Sequence, residues 1–525
     1  MVTHRRSIRW VSAGCVLASV AVLGSACGAR LDSSALQAAR NRAGGTQVAA
    51  GPSGGTGGSS TGGSGGGAAV GGTASGAPAG SGAAGSTGGG SVGGAPTGGS
   101  GASTGGGTAG GSAGSTGAGT GTGGGVSGST GSGGVNPFGG PPAGGNGGPT
   151  DVGVTANSIT LGNVSTQGGP VPGLFAGAYY GALAYAAYVN SQGGIYGRQL
   201  KIATQDDQLN ASQNKAATDQ LLGKVLGFVG SFSLETGAGS PDIQAAGAPN
   251  VSYAIDTQTQ AQSTNFSPQP LGNGFASGPY QYFAQKFGPS VASKSAFFIE
   301  DNPTAIAAAT QEQNMLTHTG YSIVYSRKVE ATETNFQGDV TNMQQKGVKA
   351  IFFQGEVSTL ARMAAAMHDA GFTVPFANWG APAYDPGFLS LSQGGANGAI
   401  LSQALAMYEG EDASSVPEVA LFDTWMHRVA PSQTIDLYAA YSWAAGALIT
   451  QALIKAGPKV TRKNLLAALS TIKSFNDNGL VAPADPADKT PPHCWIAIDV
   501  KGGKFVRDPA DPATGFVCNP GGYYP

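Results

Sequence analysis

Residues 159–207 read ITLGNVSTQGGPVPGLFAGAYYGALAYAAYVNSQGGIYGRQLKIATQDD, and no other stretch of the chain restricts the fold as much. A β-rich run, Ile159–Val164, enters a Gly/Pro loop over 165–173. An Ala/Tyr-rich helix is predicted from about Phe175 to Ser191, ending at Gly193-Gly194, where glycine accepts a positive φ. A second strand, Gln199–Thr204, runs into Asp206-Asp207. Strand, helix and strand in this order make a βαβ unit, which requires a parallel pair and a right-handed crossover. Small molecules bind such sheets beyond the carboxyl ends of the strands. The loop over 165–175 is therefore expected at a cleft, beside a helix start whose free N–H groups favour an anion.

The alternation continues to the end of the chain. Strands are predicted at Val225–Val229, Asn250–Ala254, Ser295–Glu300, Ser322–Arg327, Ala350–Gln354 and Pro375–Trp379, with helices between them and a hairpin over 495–507. The Gly169-Pro170-Val171 loop, the helix exit over 190–195, Gly197-Arg198 and Asp206-Asp207, in this order and spacing, resemble the first βαβ unit of the type I periplasmic binding proteins. These are the leucine/isoleucine/valine-binding family of ABC transporters, and the resemblance extends over about residues 151–525. It implies an α/β fold of two Rossmann-like lobes with a hinged central cleft. Lobe one is expected at about 151–275 and 400–471, lobe two at about 276–399 and 472–525.

The resemblance also implies a site. In that family the loops matching Ser233, Leu234, Glu235 and Thr236, and Ile255 and Asp256, hold an amino-acid carboxylate through hydroxyls and backbone N–H groups. Leu174 and Phe175 belong to the same cleft. The family's acidic residue for the ligand ammonium aligns near Gly380, its tyrosine near Glu356 and another aromatic near Thr304. Gly380 carries no acid, so Glu356 or Asp385 is the expected substitute, with Trp379 and Tyr384 as aromatic wall. The ligand expected from this pattern is apolar-bodied or carboxylate-bearing and needs no α-ammonium group.

The amino-terminal part reads differently. His4, Arg5, Arg6 and Arg9 precede an apolar run from Trp10 to Leu23, the pattern of a signal peptide over 1–26. Gly24-Ser25-Ala26-Cys27-Gly28 resembles a bacterial lipobox, which makes Cys27 the lipidated first residue of the mature chain; ordinary cleavage near Ala26 is the alternative. After residues 27–42, the segment 43–150 contains no Asp, Glu, Lys or Arg and is mostly Gly, Ser, Thr, Ala and Pro. Such a composition cannot bury enough apolar area to offset its ordering entropy, so a disordered tether spanning about 60 Å is expected.

Several chemistries are disfavoured. Cys15 leaves with the signal and Cys27 is taken by lipid, so Cys494 and Cys518 remain as a disulfide pair in an oxidising compartment. The histidines are scattered and no CxxC or HExxH occurs, so no metal or cofactor is expected. A formal charge of −2 without a basic run after residue 30 argues against nucleic acid. Asp206-Asp207 read as a strand end, and Ser165, Ser231 and Ser233 lack a G-x-S-x-G frame, so no enzyme is expected. The reading is an exported, monomeric solute-binding lipoprotein on the outer face of the cytoplasmic membrane. Its partners are a small-molecule ligand and an ABC permease. The alternatives are a ligand sensor with the same fold and, less favoured, an envelope hydrolase. A diacyl anchor supplies two chains, enough for stable attachment. Cys27→Ser should therefore release the protein into the medium, as read by immunoblotting of cell fractions, and retention of an exported mutant in the membrane would refute the anchor.

Overall fold

Short strands buried on both faces, wrapped by helices, build two sheets of the same winding. The computed structural model describes residues 136–272 and 274–518 together with the backbone of 523–524. The expected signal peptide, Cys27 and most of the Gly/Ser-rich segment lie outside the described residues. In lobe one, β1 (Ser158–Ser165), β2 (Gln199–Asp206), β3 (Phe228–Val229), β4 (Asn250–Val251) and β5 (Asn265–Phe266) are all parallel, in the order β2-β1-β3-β4-β5. After β6 (Phe275–Ala276) the chain enters lobe two. There β7 (Ser295–Glu300), β8 (Ile323–Val329), β9 (Ala350–Gln354), β10 (Phe376–Asn378) and β11 (Ile400–Gln403) repeat that winding as β8-β7-β9-β10-β11. An antiparallel pair, β12 (Cys494–Lys501) and β13 (Lys504–Arg507), extends the second sheet beyond β11. The predicted α/β architecture and its strand positions are thus observed, with most ends within two residues of expectation.

The carboxyl end is stapled. β14 (Val517–Cys518) pairs antiparallel with β12, and Cys494 and Cys518, cross-strand partners there, form a disulfide. The backbone of β15 (Tyr523–Tyr524) pairs with β6.

Three expectations need correction. The strand at 400–403 was expected in lobe one but pairs with β10 and β12 in lobe two, and the chain returns to lobe one only after it. Residues 472–490 were expected in lobe two but stay on lobe one. Leu405 bridges to Val481, Ala487 N–H donates to Ile472, and Lys489 Nζ donates to the carbonyls of Gln260 and Gln262. Strand length and helix periodicity do not report which sheet receives a strand; the pairing partner decides that.

The third correction concerns the tether, whose last part is ordered from Asn136. Phe138 is buried against Tyr188, ring centroids 5.5 Å apart, and Asn136 Nδ2 donates to Gly194 O. The organiser is Arg198, which is fully buried. Its Nε donates to Thr155 O (2.7 Å), Nη1 to Pro458 O (2.6 Å), and Nη2 to Asn146 O (2.6 Å) and Gly148 O (2.9 Å). A guanidinium can satisfy several carbonyls at once, so a segment without a core of its own is held by its backbone.

Lobe one is centred on the helix Leu437–Ala456, which packs along the helix Ala176–Ser191. Small residues permit the approach: a Cβ at Gly181 would stand 2.2 Å from Ala439 O. Asp436 caps this helix, its Oδ1 accepting from Ala439 N–H at 2.7 Å. Burial pushes the Asp436 carboxyl up to about 7, and the nearby Asp385 adds to it.

Two predictions follow from these buried groups. Arg198→Met leaves four carbonyls unpartnered and should cost about 3 kcal/mol or more, with new proteolysis over 136–150; denaturant unfolding and limited digestion measure both. Asp436 has a folded-state pKa above its unfolded value of about 3.9, so the folded state holds the extra proton and stability declines as pH rises from about 4 to about 7. Asp436→Asn keeps a side chain able to cap. It should flatten that decline and raise stability at pH 8 by about 1 kcal/mol or more, read from thermal unfolding against pH.

Candidate functional site

The carboxyl ends of the parallel strands from both sheets converge on one cleft. Lobe one contributes Leu174 and Phe175 after β1, Phe232 and Leu234 after β3, and Tyr253 and Ile255 after β4. Lobe two contributes Glu300 and Thr304 at β7, Gln354 and Glu356 at β9, and Asn378 and Gly380 at β10. The chain crosses between lobes near 267–274, 404–406 and 491–493, and residues beside these crossings form the floor. The inner cleft measures about 500 Å³ and opens into an outer one of about 930 Å³.

Aromatic rings dominate the lobe-one wall. Phe175 stands 4.8 Å from Phe232 and 4.6 Å from Tyr438, and Tyr253 stacks on Tyr441 at 4.2 Å. Offset and edge contacts of this kind hold the rings in place before any ligand arrives. The tyrosines of 438 and 441 come from the start of the central helix, far away in the chain. Sequence reading missed them because nothing local marks a helical tyrosine as cleft-facing. Phe232 and Tyr253 sit just past strand ends, where strand position alone would have found them.

Of the expected site residues, the structure brings Leu174, Phe175, Leu234, Ile255, Thr304 and Glu356 to the inner cleft, and Glu235 and Asp256 to the outer one. Four do not line it. Ser233 is buried, its Oγ accepting from Glu235 N–H at 2.9 Å beside Thr166 Oγ1. Thr236 Oγ1 donates to Asp256 Oδ2, which leaves no free hydroxyl for a ligand anion. Trp379 is turned into the core against Phe353 and Phe388, because side chains alternate and Asn378 takes the cleft side. Tyr384 is fully buried between Tyr408 and Phe505, its hydroxyl donating to Glu411.

The first turn of the first helix is packed against Asp436. Asp436 lies so close to Gly177, in the first turn of that helix, that a Cβ there would stand 2.0 Å from its Oδ1. Asp436 is buried there, and its Oδ1 is bonded to Ala439 N–H of its own helix. Among the described residues lining the cleft there is no lysine or arginine.

Of the two acids the sequence offered, Glu356 lines the inner cleft and Asp385 does not. Glu356 caps the helix Val357–Asp369, accepting from Ser358 and Thr359 N–H at 3.0 Å each. Asp385 caps the helix Pro386–Leu391, accepting from Gly387 N–H at 2.6 Å, and burial pushes it up to about 6. The buried carboxyls of the inner cleft are instead Glu300 and Glu312. Burial pushes Glu300 up to about 7, and its Oε2 accepts from Glu356 N–H at 2.8 Å. Burial raises Glu312 too, and it accepts from Tyr280 Oη at 2.7 Å and Gln354 Nε2 at 2.5 Å.

Three polar atoms at the floor have no protein partner. Gln269 and Gln403 each donate Nε2 to two backbone carbonyls, which sets the amide orientation and leaves Oε1 unpaired. Trp495 Nε1 is buried and unpaired as well. Gln269 lines the outer cleft, Gln403 both parts and Trp495 the inner one. Such atoms are costly to leave unmade, so a ligand that pairs them gains from the groups already desolvated.

Comparison with known proteins agrees with this architecture. The chain matches the profile of the family described as periplasmic binding protein over residues 158–504. No curated protein sequence matches it significantly. Among solved structures, a branched chain amino acid ABC transporter from Thermus thermophilus with bound valine aligns with a TM-score of 0.61 at 16% identity, covering 69% of this chain and 97% of that one. A fatty acid ABC transporter substrate-binding protein from Thermomonospora curvata aligns with a TM-score of 0.59 at 18% identity, covering 71% and 95%. A solute binding protein from R. palustris in complex with 4-hydroxybenzoate gives 0.55 at 18%, covering 67% and 96%. With the profile spanning well over half of its length and both sheets wound as described, this chain belongs to the periplasmic binding protein family and has its type I, two-lobed fold.

Proposed function

We propose that the protein is the extracytoplasmic solute-binding component of an ABC importer, held at the membrane by lipid on Cys27 and acting as a monomer that presents its closed form to a permease. Its ligand on this reading is an uncharged molecule with an aromatic or apolar body and an amide-like polar end. The observation that carries this is a cleft walled by aromatic rings, with no lysine or arginine among its described lining residues and with unpaired amide and indole atoms at its floor. A zwitterionic amino acid needs partners for two buried charges, since an unpaired one is costly. Here the carboxylate has no cationic or hydroxyl partner of the expected kind. The unpaired Gln403 Oε1 and Trp495 Nε1 ask for one donor and one acceptor, which a neutral amide supplies together. Related folds carry valine, a fatty acid and 4-hydroxybenzoate by their descriptions, so the scaffold accommodates apolar and aromatic bodies.

Titration calorimetry of the purified protein against benzamide and L-leucine tests the ligand class. Benzamide should bind more tightly than leucine, and Gln403→Leu should weaken it about tenfold, the loss of one good hydrogen bond. Micromolar binding of leucine would overturn this ligand class and restore an amino-acid reading. Mass spectrometry of whatever small molecule co-purifies then identifies the natural ligand.

A further inference from the structure

A second cavity lies in lobe one and shares no lining residue with the cleft. It measures about 370 Å³ and sits between the helices Ala176–Ser191, Pro417–Val429 and Leu437–Ala456, the loop over 474–478, and Pro137-Phe138. Two carboxyls face it, Glu418 at 7% exposure and Asp477 at 6%. Glu418 is satisfied by neutral donors only: Trp443 Nε1 at 2.8 Å and Asn478 Nδ2 at 3.0 Å. Asp477 Oδ2 is buried without a hydrogen-bond partner. Thr450 Oγ1, also lining the cavity, lies beside the Tyr185 hydroxyl without reaching hydrogen-bonding geometry. No lysine, arginine or histidine is among the described lining residues.

The loop itself is bent to make this arrangement. Asp477 and Asn478 both take positive φ, 43° and 50°, in a loop closed by the Phe475–Ala484 bridge. Non-glycine residues in that region cost of order 1 kcal/mol or more each and are retained where the surroundings enforce them. Strained backbone here delivers a carboxylate to a place where it has no counter-charge, which is a poor outcome for stability alone. Burial pushes both carboxyls upward, and the nearby Glu418 raises Asp477 further.

We propose that this cavity is a second binding site, for a primary alkylammonium. The ammonium offers three donors, matched by Asp477 Oδ2, Thr450 Oγ1 and the Glu418 carboxylate. Its carbon chain lies against Tyr185, Tyr188 and Phe138, whose rings also attract a cation. A hard metal ion fits less well, since it needs about six oxygen ligands and no third His, Cys, Asp or Glu joins the pair among the described residues. A cation held there favours the ionised form of both carboxyls.

Calorimetry of the full-length protein with n-butylammonium chloride near neutral pH tests this. Saturable binding is expected. Asp477→Asn should weaken it at least about tenfold, and asparagine tolerates the left-handed backbone at this position. Thr450→Val, on a regular helix, should weaken it as well and serves if the first variant fails to fold. Gln403→Leu, in the cleft, should leave it unchanged. Absence of saturable binding at millimolar concentration would overturn the proposal. So would binding that survives both site variants, or binding lost in Gln403→Leu, which would move the amine to the cleft.

Discussion

One side-chain amide ties the first two interlobe crossings together and to the segment that precedes the third. Gln269, on the first crossing, donates Nε2 to Ala404 O on the second and to Ala482 O on the segment leading to the third. Ala482 N–H adds a bond to Ala404 O at 2.8 Å, and Leu405 bridges to Val481. Leu405, Ala406, Leu480 and Val481 beside it are buried in the core, so the ladder and apolar packing fix these segments together. Any hinge motion of the lobes turns about it, because the dihedrals that change lie in the crossings while the sheets move as bodies. The same amide leaves its Oε1 unpaired at the outer cleft, so the hinge and the ligand site share a residue.

The second constraint is electrostatic. Asp436 caps the central helix, packs against Gly177 of the first helix and lies near Asp385 of lobe two. When ionised, it raises the cost of an anion nearby. The aromatic wall beside it, from Phe175 to Tyr441, then decides what the remaining surface can attract. Glu300 and Glu312 keep their hydrogen bonds within the protein, which makes them more a neutral polar edge than a counter-charge.

The candidate site was legible where it depends on strand ends and illegible where it depends on turns of single side chains. Loop positions after β1, β3, β4, β7 and β9 were all found at the cleft, since a parallel sheet presents every carboxyl end on one side. Trp379 and Tyr384 were misread because proximity in sequence to Gly380 does not tell which face a side chain takes. Ser233 and Thr236 were misread because their hydroxyls had nearer partners within the protein, Glu235 N–H and Asp256. Arg198 shows the opposite case: a residue first noticed as part of a motif proves to order a segment whose composition suggested none.

The sequence by itself determined the class of fold, because hydrophobic runs of strand length alternating with helical segments admit a parallel, doubly wound sheet and little else. It also determined the approximate ends of most strands and the even pair of cysteines. Only the tertiary structure decided which sheet receives β11, where the chain makes its last crossing, and what packs on the first helix. Those outcomes rest on contacts between residues hundreds of positions apart, such as Gly177 with Asp436 and Gln269 with Ala482. Local periodicity carries no record of such pairings, which are chosen by the packing of the whole chain.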